Sequence, residues 1–163
     1  MVDQYLGYRR LSKGWQSDPI ARLHPCILFG PGKALTREFV QKKNITHVVN
    51  CAFDENSPEW FRKDFPDNYH CLNAVDNEKV NILQWYTEFE SIMDKYLRAT
   101  DSKVVYVHCQ CGMNRSGFLL LTYMCNRFKY SVEGMIKEIL IQRPCALANP
   151  VFMKQVIQYF KKT

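Results

Sequence analysis

The sequence has no apolar run long enough to cross a bilayer, which takes ~20 residues. Its longest, Phe118 to Cys125, is broken by Thr122 and reads as a buried helix. Met1-Val2-Asp3-Gln4 opens no apolar signal stretch, and Val2 stands where a myristoylated chain carries glycine. Lys161-Lys162-Thr163 offers no cysteine for prenylation. Neither membrane insertion nor secretion is expected. No Cys-x2-Cys pair is present to found a zinc site, despite seven cysteines and four histidines. No metal or other cofactor is therefore expected. Internal repeats, low-complexity tracts and linkers are missing too, so the 163 residues should build one core and not two.

Seven cysteines, an odd number with no secretory leader, imply free thiols in a reducing compartment, the cytoplasm or else the nucleus. The net charge of +6, from 22 basic and 16 acidic residues, favours anionic partners without naming one. The basic residues are scattered (Arg9, Arg10 and Lys13, then Lys42 and Lys43, then Lys161 and Lys162). They read as a solvated surface and not as a nucleic-acid stripe.

Residues 1–24 are polar, basic and aromatic, broken by Gly7, Gly14 and Pro19, and read as an N-terminal extension lying over the domain or docking elsewhere. Cys26 to Gly30 is a short strand stopped by Pro31-Gly32, and Leu35, Phe39 and Val40 recur at helical spacing. Thr46 to Ala52 is a buried strand, Asp54 to Pro66 a surface loop, and Tyr69 to Val75 a further strand. From Ile82 to Leu97 apolar residues return every three or four positions, the clearest amphipathic helix of the chain. The strand Val104-Val105-Tyr106-Val107 follows, and then three helices: one starting near Arg115, one over Ser131 to Ile141, one over Pro150 to Phe160. Asn149 and Pro150 supply an N-cap and first-turn proline for the last. Strands alternating with helices indicate an α/β fold with a mostly parallel sheet.

Between the fourth strand and its helix lies His108-Cys109-Gln110-Cys111-Gly112-Met113-Asn114-Arg115-Ser116-Gly117. A glycine-containing loop between strand and helix turns its N–H groups toward one point, where the positive helix end adds to them. The field that holds a phosphate there also stabilises a thiolate on Cys109, a nucleophile. Arg115 supplies a planar fork for two phosphate oxygens and for the charge that builds on them. The loop residues Gln110, Cys111, Gly112, Met113 and Asn114 complete the expected phosphate cradle. Ser116 can donate a hydrogen bond to the departing Cys109 sulfur. His108 and Asn114 are expected to tie the loop to its surroundings.

This motif resembles the His-Cys-x5-Arg-Ser/Thr signature of the protein tyrosine phosphatase superfamily, and the Asn-Arg-Ser-Gly ending looks most like the small dual-specificity phosphatases. The resemblance runs from about Cys26 to Phe160 and includes Arg143-Pro144, Asn149 and Phe152; Cys111 and Met113 fit it more loosely. It implies a protein tyrosine phosphatase-like fold, a central twisted sheet of five strands flanked by helices, with residues 25–163 as catalytic domain. It implies hydrolysis of phosphotyrosine and phosphoserine or phosphothreonine in protein substrates through a phosphocysteine.

Such chemistry needs a carboxylic acid to protonate the leaving oxygen. Asp76 is the candidate, since it ends the Tyr69–Val75 strand ahead of the long helix and its interval to Cys109 is similar to that of dual-specificity phosphatases. Asp54, Glu55, Asp64, Asp67 and Glu78 are the rivals. Some superfamily members rescue an oxidised nucleophile with a second cysteine; Cys51, or else Cys71, could serve here, although a buried inert thiol is the commoner state. The alternative activity is an RNA 5′-triphosphatase of the same superfamily, the one reading with a nucleic-acid partner. Those enzymes resemble a Thr-His pair where this chain has Gln110-Cys111. Phosphoinositide phosphatases would carry a basic loop residue, arsenate reductases an N-terminal nucleophile, and a dead phosphate-binding module would lack Cys109, Arg115 or Asp76.

Overall fold

The structure is a computed structural model that describes residues 11–162. Five strands form one sheet: β1 (Ala21–His24), β2 (Ile27–Pro31), β3 (Ile45–Asn50), β4 (Tyr69–Cys71) and β5 (Val104–Cys109). Their order across the sheet is β1-β2-β5-β3-β4. All neighbours are parallel except β1 and β2. The expected mostly parallel, five-stranded sheet is present. β5 lies at its centre, every residue of it buried, because helices cover both faces and no side of the strand meets water.

The helices are α1 (Arg37–Lys42), α2 (Glu59–Asp64), α3 (Tyr86–Arg98), α4 (Arg115–Phe128), α5 (Val132–Gln142) and α6 (Pro150–Lys161). Side-chain alternation along the strands assigns the two faces. Phe29, Val49 and Val107 point toward α3 to α6 and meet Phe89, Met93, Phe118, Ile136 and Phe152. Leu28, Val48 and Tyr106 point the other way, onto Leu35, Val40 and Phe61 beside α1 and α2. α4 is buried from Arg115 through Cys125, being enclosed by the sheet and its neighbours; an apolar surface all round suits that position. Asn149 caps α6, its Oδ1 accepting from the N–H groups of Val151 and Phe152 at 3.0 and 3.2 Å, as the Asn-Pro start predicted.

Three expectations need correction. The boundary drawn at residue 25 falls between two hydrogen-bonded strands, because Ala21 and Leu23 alternate with Arg22 and His24 and bury one side against the core. The segment just before it is therefore sheet, while residues 1–10 lie outside the described part of the chain. The stretch Asp54 to Pro66 is not a plain surface loop: α2 inserts Phe61, almost fully buried, under the sheet. Finally, β4 stops at Cys71, since Asn73 turns through a left-handed backbone (φ 58°) while the N–H groups of Leu72, Asn73 and Ala74 bond around the end of β3.

Candidate active site

Parallel strands deliver their C-terminal ends to one edge of the sheet, and β5 ends there at Cys109 opposite Pro31 of β2. The turn from β5 into α4 is residues 110–114. Gly112 sits in it at φ +64°, and a methyl group there would overlap the backbone of Gly30, so only glycine fits the loop against β2.

The loop carbonyls face outward. Arg143, fully buried, donates from Nε to Gly112 O (2.8 Å) and from Nη2 to Cys111 O (2.8 Å), while Leu147 N–H donates to Met113 O at 3.0 Å. In a trans peptide the N–H points opposite to the C=O. Those three bonds thus turn the N–H groups of Gly112, Met113 and Asn114 into the cleft, the cradle an oxyanion requires. His108 anchors the other end of the loop. Its Nδ1 lies 2.9 Å from Cys109 O, which can only accept, so Nδ1 carries the proton and Nε2 accepts from Ser57 Oγ at 3.0 Å. Burial pushes the His108 imidazole down to about 4, leaving it neutral, although the Cys109 carbonyl opposes the shift. It is a tie and not an acid or base.

A cavity of about 210 Å³ is lined by Asp76, Cys109, Gln110, Cys111, Met113, Asn114 and Arg115. The structure therefore brings together most of the residues expected to act on phosphate. Cys109 is 3% exposed, and its Sγ is 3.1 Å from Ser116 Oγ. Ser116 thus faces the sulfur instead of capping α4. Among the described residues, Arg115 makes one side-chain hydrogen bond, from Nη1 to Ala74 O at 3.1 Å, and its buried Nε meets no acceptor.

Asp76 stands exposed at the rim. Its Oδ2 accepts from Asn114 Nδ2 at 2.9 Å and its Oδ1 from Asn149 Nδ2 at 3.1 Å. Asn114 in turn accepts from the N–H groups of Ala148 and Asn149 at 2.8 and 2.9 Å, so the asparagines lock three segments to one carboxylate. The expected pinning by Asn114 is present; that both asparagines would grip Asp76 had no local signal, because their partners are distant in sequence. Of the rival acids, none lines the cavity. Asp54 accepts from Tyr69 OH at 2.7 Å, and Asp64 pairs with Arg37 at 2.9 Å. Arg143 entered the sequence reading only through the Arg-Pro resemblance, and its five carbonyl partners could not be read there. Ser57 was missed altogether.

All seven cysteines are free. Cys51 is fully buried one position beyond the β3 strand; burial, and after it the neighbouring Cys109, push its thiol well up, against a smaller opposing pull from Arg115. Cys71 donates to Ala52 O at 3.2 Å, and burial raises it as well. Among the described residues there is no cluster of His, Cys, Asp or Glu able to hold a metal. Nor, among them, is any helix long and apolar enough to cross a membrane.

Residues 27–162 match the dual specificity phosphatase catalytic domain family. The human protein phosphatase Slingshot homolog 3 is 29% identical over 147 residues, which are 88% of this chain and 21% of that protein. The Xenopus laevis protein phosphatase Slingshot homolog is 26% identical over 147 residues, 88% of this chain and 20% of its own. The chain thus spans about a fifth of the length of the curated relatives it matches. Among solved structures, the human tyrosine phosphatase-like serine/threonine/tyrosine-interacting protein superposes with a TM-score of 0.74 at 22% identity, over 88% of this chain and 97% of that one. Human DUSP28 does so with 0.73 at 20%, over 88% and 94%. These two share the fold. With a match over nearly its whole length and the family's motif at the mouth of the cavity, the chain belongs to the dual specificity phosphatase catalytic domain family.

Proposed function

We propose that the chain is a cysteine-dependent protein phosphatase, acting on phosphotyrosine and on phosphoserine or phosphothreonine through a phosphocysteine intermediate. One observation carries the reading. Arg115, which lines the cavity with Cys109, keeps a buried guanidinium donor without an acceptor among the described residues. A buried cationic donor is costly unless an anion completes it, and a phosphoryl oxygen above Cys109 would do so.

The Cys109 thiolate attacks phosphorus while the ester P–O bond breaks and the leaving oxygen takes a proton from Asp76. Water then attacks the phosphocysteine, Asp76 receives its proton, and the S–P bond breaks to return the thiolate, which the Ser116 hydroxyl stabilises. The cavity opens beside the exposed Gln110 and Asp76, which supports a substrate range of both short and long phosphorylated side chains. The relatives are named as protein phosphatases, which favours protein over RNA as the substrate. We take residues 25–163, with the edge strand before them, as the catalytic unit. The seven unpaired thiols support a reducing compartment, cytoplasm or nucleus.

The test is hydrolysis of a phosphotyrosyl peptide, a phosphothreonyl peptide, triphosphorylated RNA and a phosphoinositide, by wild type and Cys109→Ser. Both peptides should be turned over by wild type alone. Variant activity within about tenfold of wild type, a difference of only ~1.4 kcal/mol in barrier, would remove Cys109 as nucleophile. Preferred turnover of RNA would overturn the substrate assignment.

A further inference from the structure

A second cavity, of about 310 Å³, adjoins the catalytic one: Gln110 lines both. Its walls come from three separate segments. Gly32 and Lys33 follow β2, Asn56 and Pro58 precede α2, and Trp15 belongs to the stretch before β1. Two of these walls come close together, because a methyl group on Gly32 would overlap the carbonyl oxygen of Asn56. The third is fixed to the catalytic loop through a single atom. Arg143 Nη2 donates both to Trp15 O and to Cys111 O, each at 2.8 Å. Groove and catalytic cavity therefore hold a set distance from each other.

The Lys33 ammonium lies 4.8 Å from the centroid of the half-buried Trp15 ring, a cation resting on an aromatic face. Lys33 is exposed, and among the described residues no carboxylate lies within ion-pair distance of it. A positive charge is thus positioned by an aromatic wall, outside any ion pair among the described residues, in a groove that shares Gln110 with the catalytic cavity. Glu55 also faces this groove and is its one acidic lining residue.

We infer that the groove is a second binding site, which seats the peptide segment flanking the phosphorylated residue and pairs an acidic side chain of that segment with Lys33. The inference rests on the phosphatase reading and narrows its substrate class to acidic phosphopeptides. Trp15 supplies the apolar wall for the segment's aliphatic atoms. Glu55 opposes the same anion and limits the preference that Lys33 creates.

The experiment compares kcat/KM for phosphopeptides of one sequence carrying Glu, Gln or Lys at each position within about three residues of the phosphoresidue, a reach of ~10 Å. Wild type, Lys33→Glu and Glu55→Gln are measured at low ionic strength, where a partly exposed pair is least screened. At one position or more, wild type should favour Glu over Lys by about three- to fivefold, the scale of an exposed ion pair. Lys33→Glu should abolish or invert that ratio, and Glu55→Gln should widen it. Equal turnover of all flanks by wild type, or an unchanged ratio in Lys33→Glu, overturns the groove and leaves the phosphatase reading standing. No turnover of any peptide overturns the phosphatase reading and this inference with it.

Discussion

In the proposed mechanism Arg115 and Asp76 act on opposite ends of one breaking bond, and their substitutions should therefore fail in different ways. Arg115→Lys keeps the charge, but an ammonium lacks the planar fork that can grip two phosphoryl oxygens while another donor holds Ala74 O. Its kcat/KM should fall by ~10²–10³-fold on every phosphate ester, the usual loss for one donor to a developing oxyanion. A variant with full activity would mean that phosphate is held elsewhere. Asp76→Asn removes the proton donor and also replaces one of the two oxygens that accept from Asn114 and Asn149 with a donor. The part of the expected ~10²–10⁴-fold loss that comes from the missing proton should shrink as the leaving group improves. A series of aryl phosphates of graded leaving-group acidity measures this directly. If Asp76→Asn is near neutral while Asp54→Asn or Glu78→Gln gives that pattern, then the acid sits on another loop. Both residues could be proposed from spacing and resemblance alone. The asparagine grip on Asp76 could not, since Asn114 and Asn149 reach it only after three segments have folded together.

At the scale of elements, the loop between β5 and α4 is held from behind by Arg143. Arg143 spends all five of its donors on carbonyls, two in the loop and three (Trp15, Asp18 and Pro19) in the segment before β1. Arg143→Lys has three donors and no planar fork, so it must abandon part of that set. Residues 11–20 of this variant should be cut sooner in limited proteolysis, and its activity should fall with Cys109 and Arg115 intact. Unchanged cleavage and activity would show that the loop holds its shape unaided. Long, strongly periodic elements such as α3 were plain in the sequence, because five buried positions (Tyr86, Phe89, Ile92, Met93 and Tyr96) mark one face. Short ones were not. β1 has only Ala21 and Leu23 to signal a buried side, and α2 hides one core residue, Phe61, among charges. In both, tertiary packing settles what so few residues leave open locally.

The whole molecule should register acid through its buried histidines, His108 and His47, and the half-buried His24. His108 is fully buried and neutral, its imidazole held down to about 4, and burial also lowers His47 and His24, with Asp101 opposing the effect at His47. In the unfolded chain each of these would titrate near 6.5, so between that value and the folded one the unfolded state binds more protons. Stability is therefore fully present above pH ~6.5 and declines as pH falls toward 4. For His108 alone the loss across this window is on the order of 3 kcal/mol. Denaturant unfolding of wild type between about pH 7.5 and 4.5 should show this decline, above the range where most carboxylates protonate. His108→Asn removes the titrating group along with its ties to Cys109 O and Ser57. It should be less stable at neutral pH yet lose less on acidification. A variant that keeps the wild-type pH slope would place the acid sensitivity elsewhere, and His108 would then hold the catalytic loop without making it the acid-sensitive point of the fold.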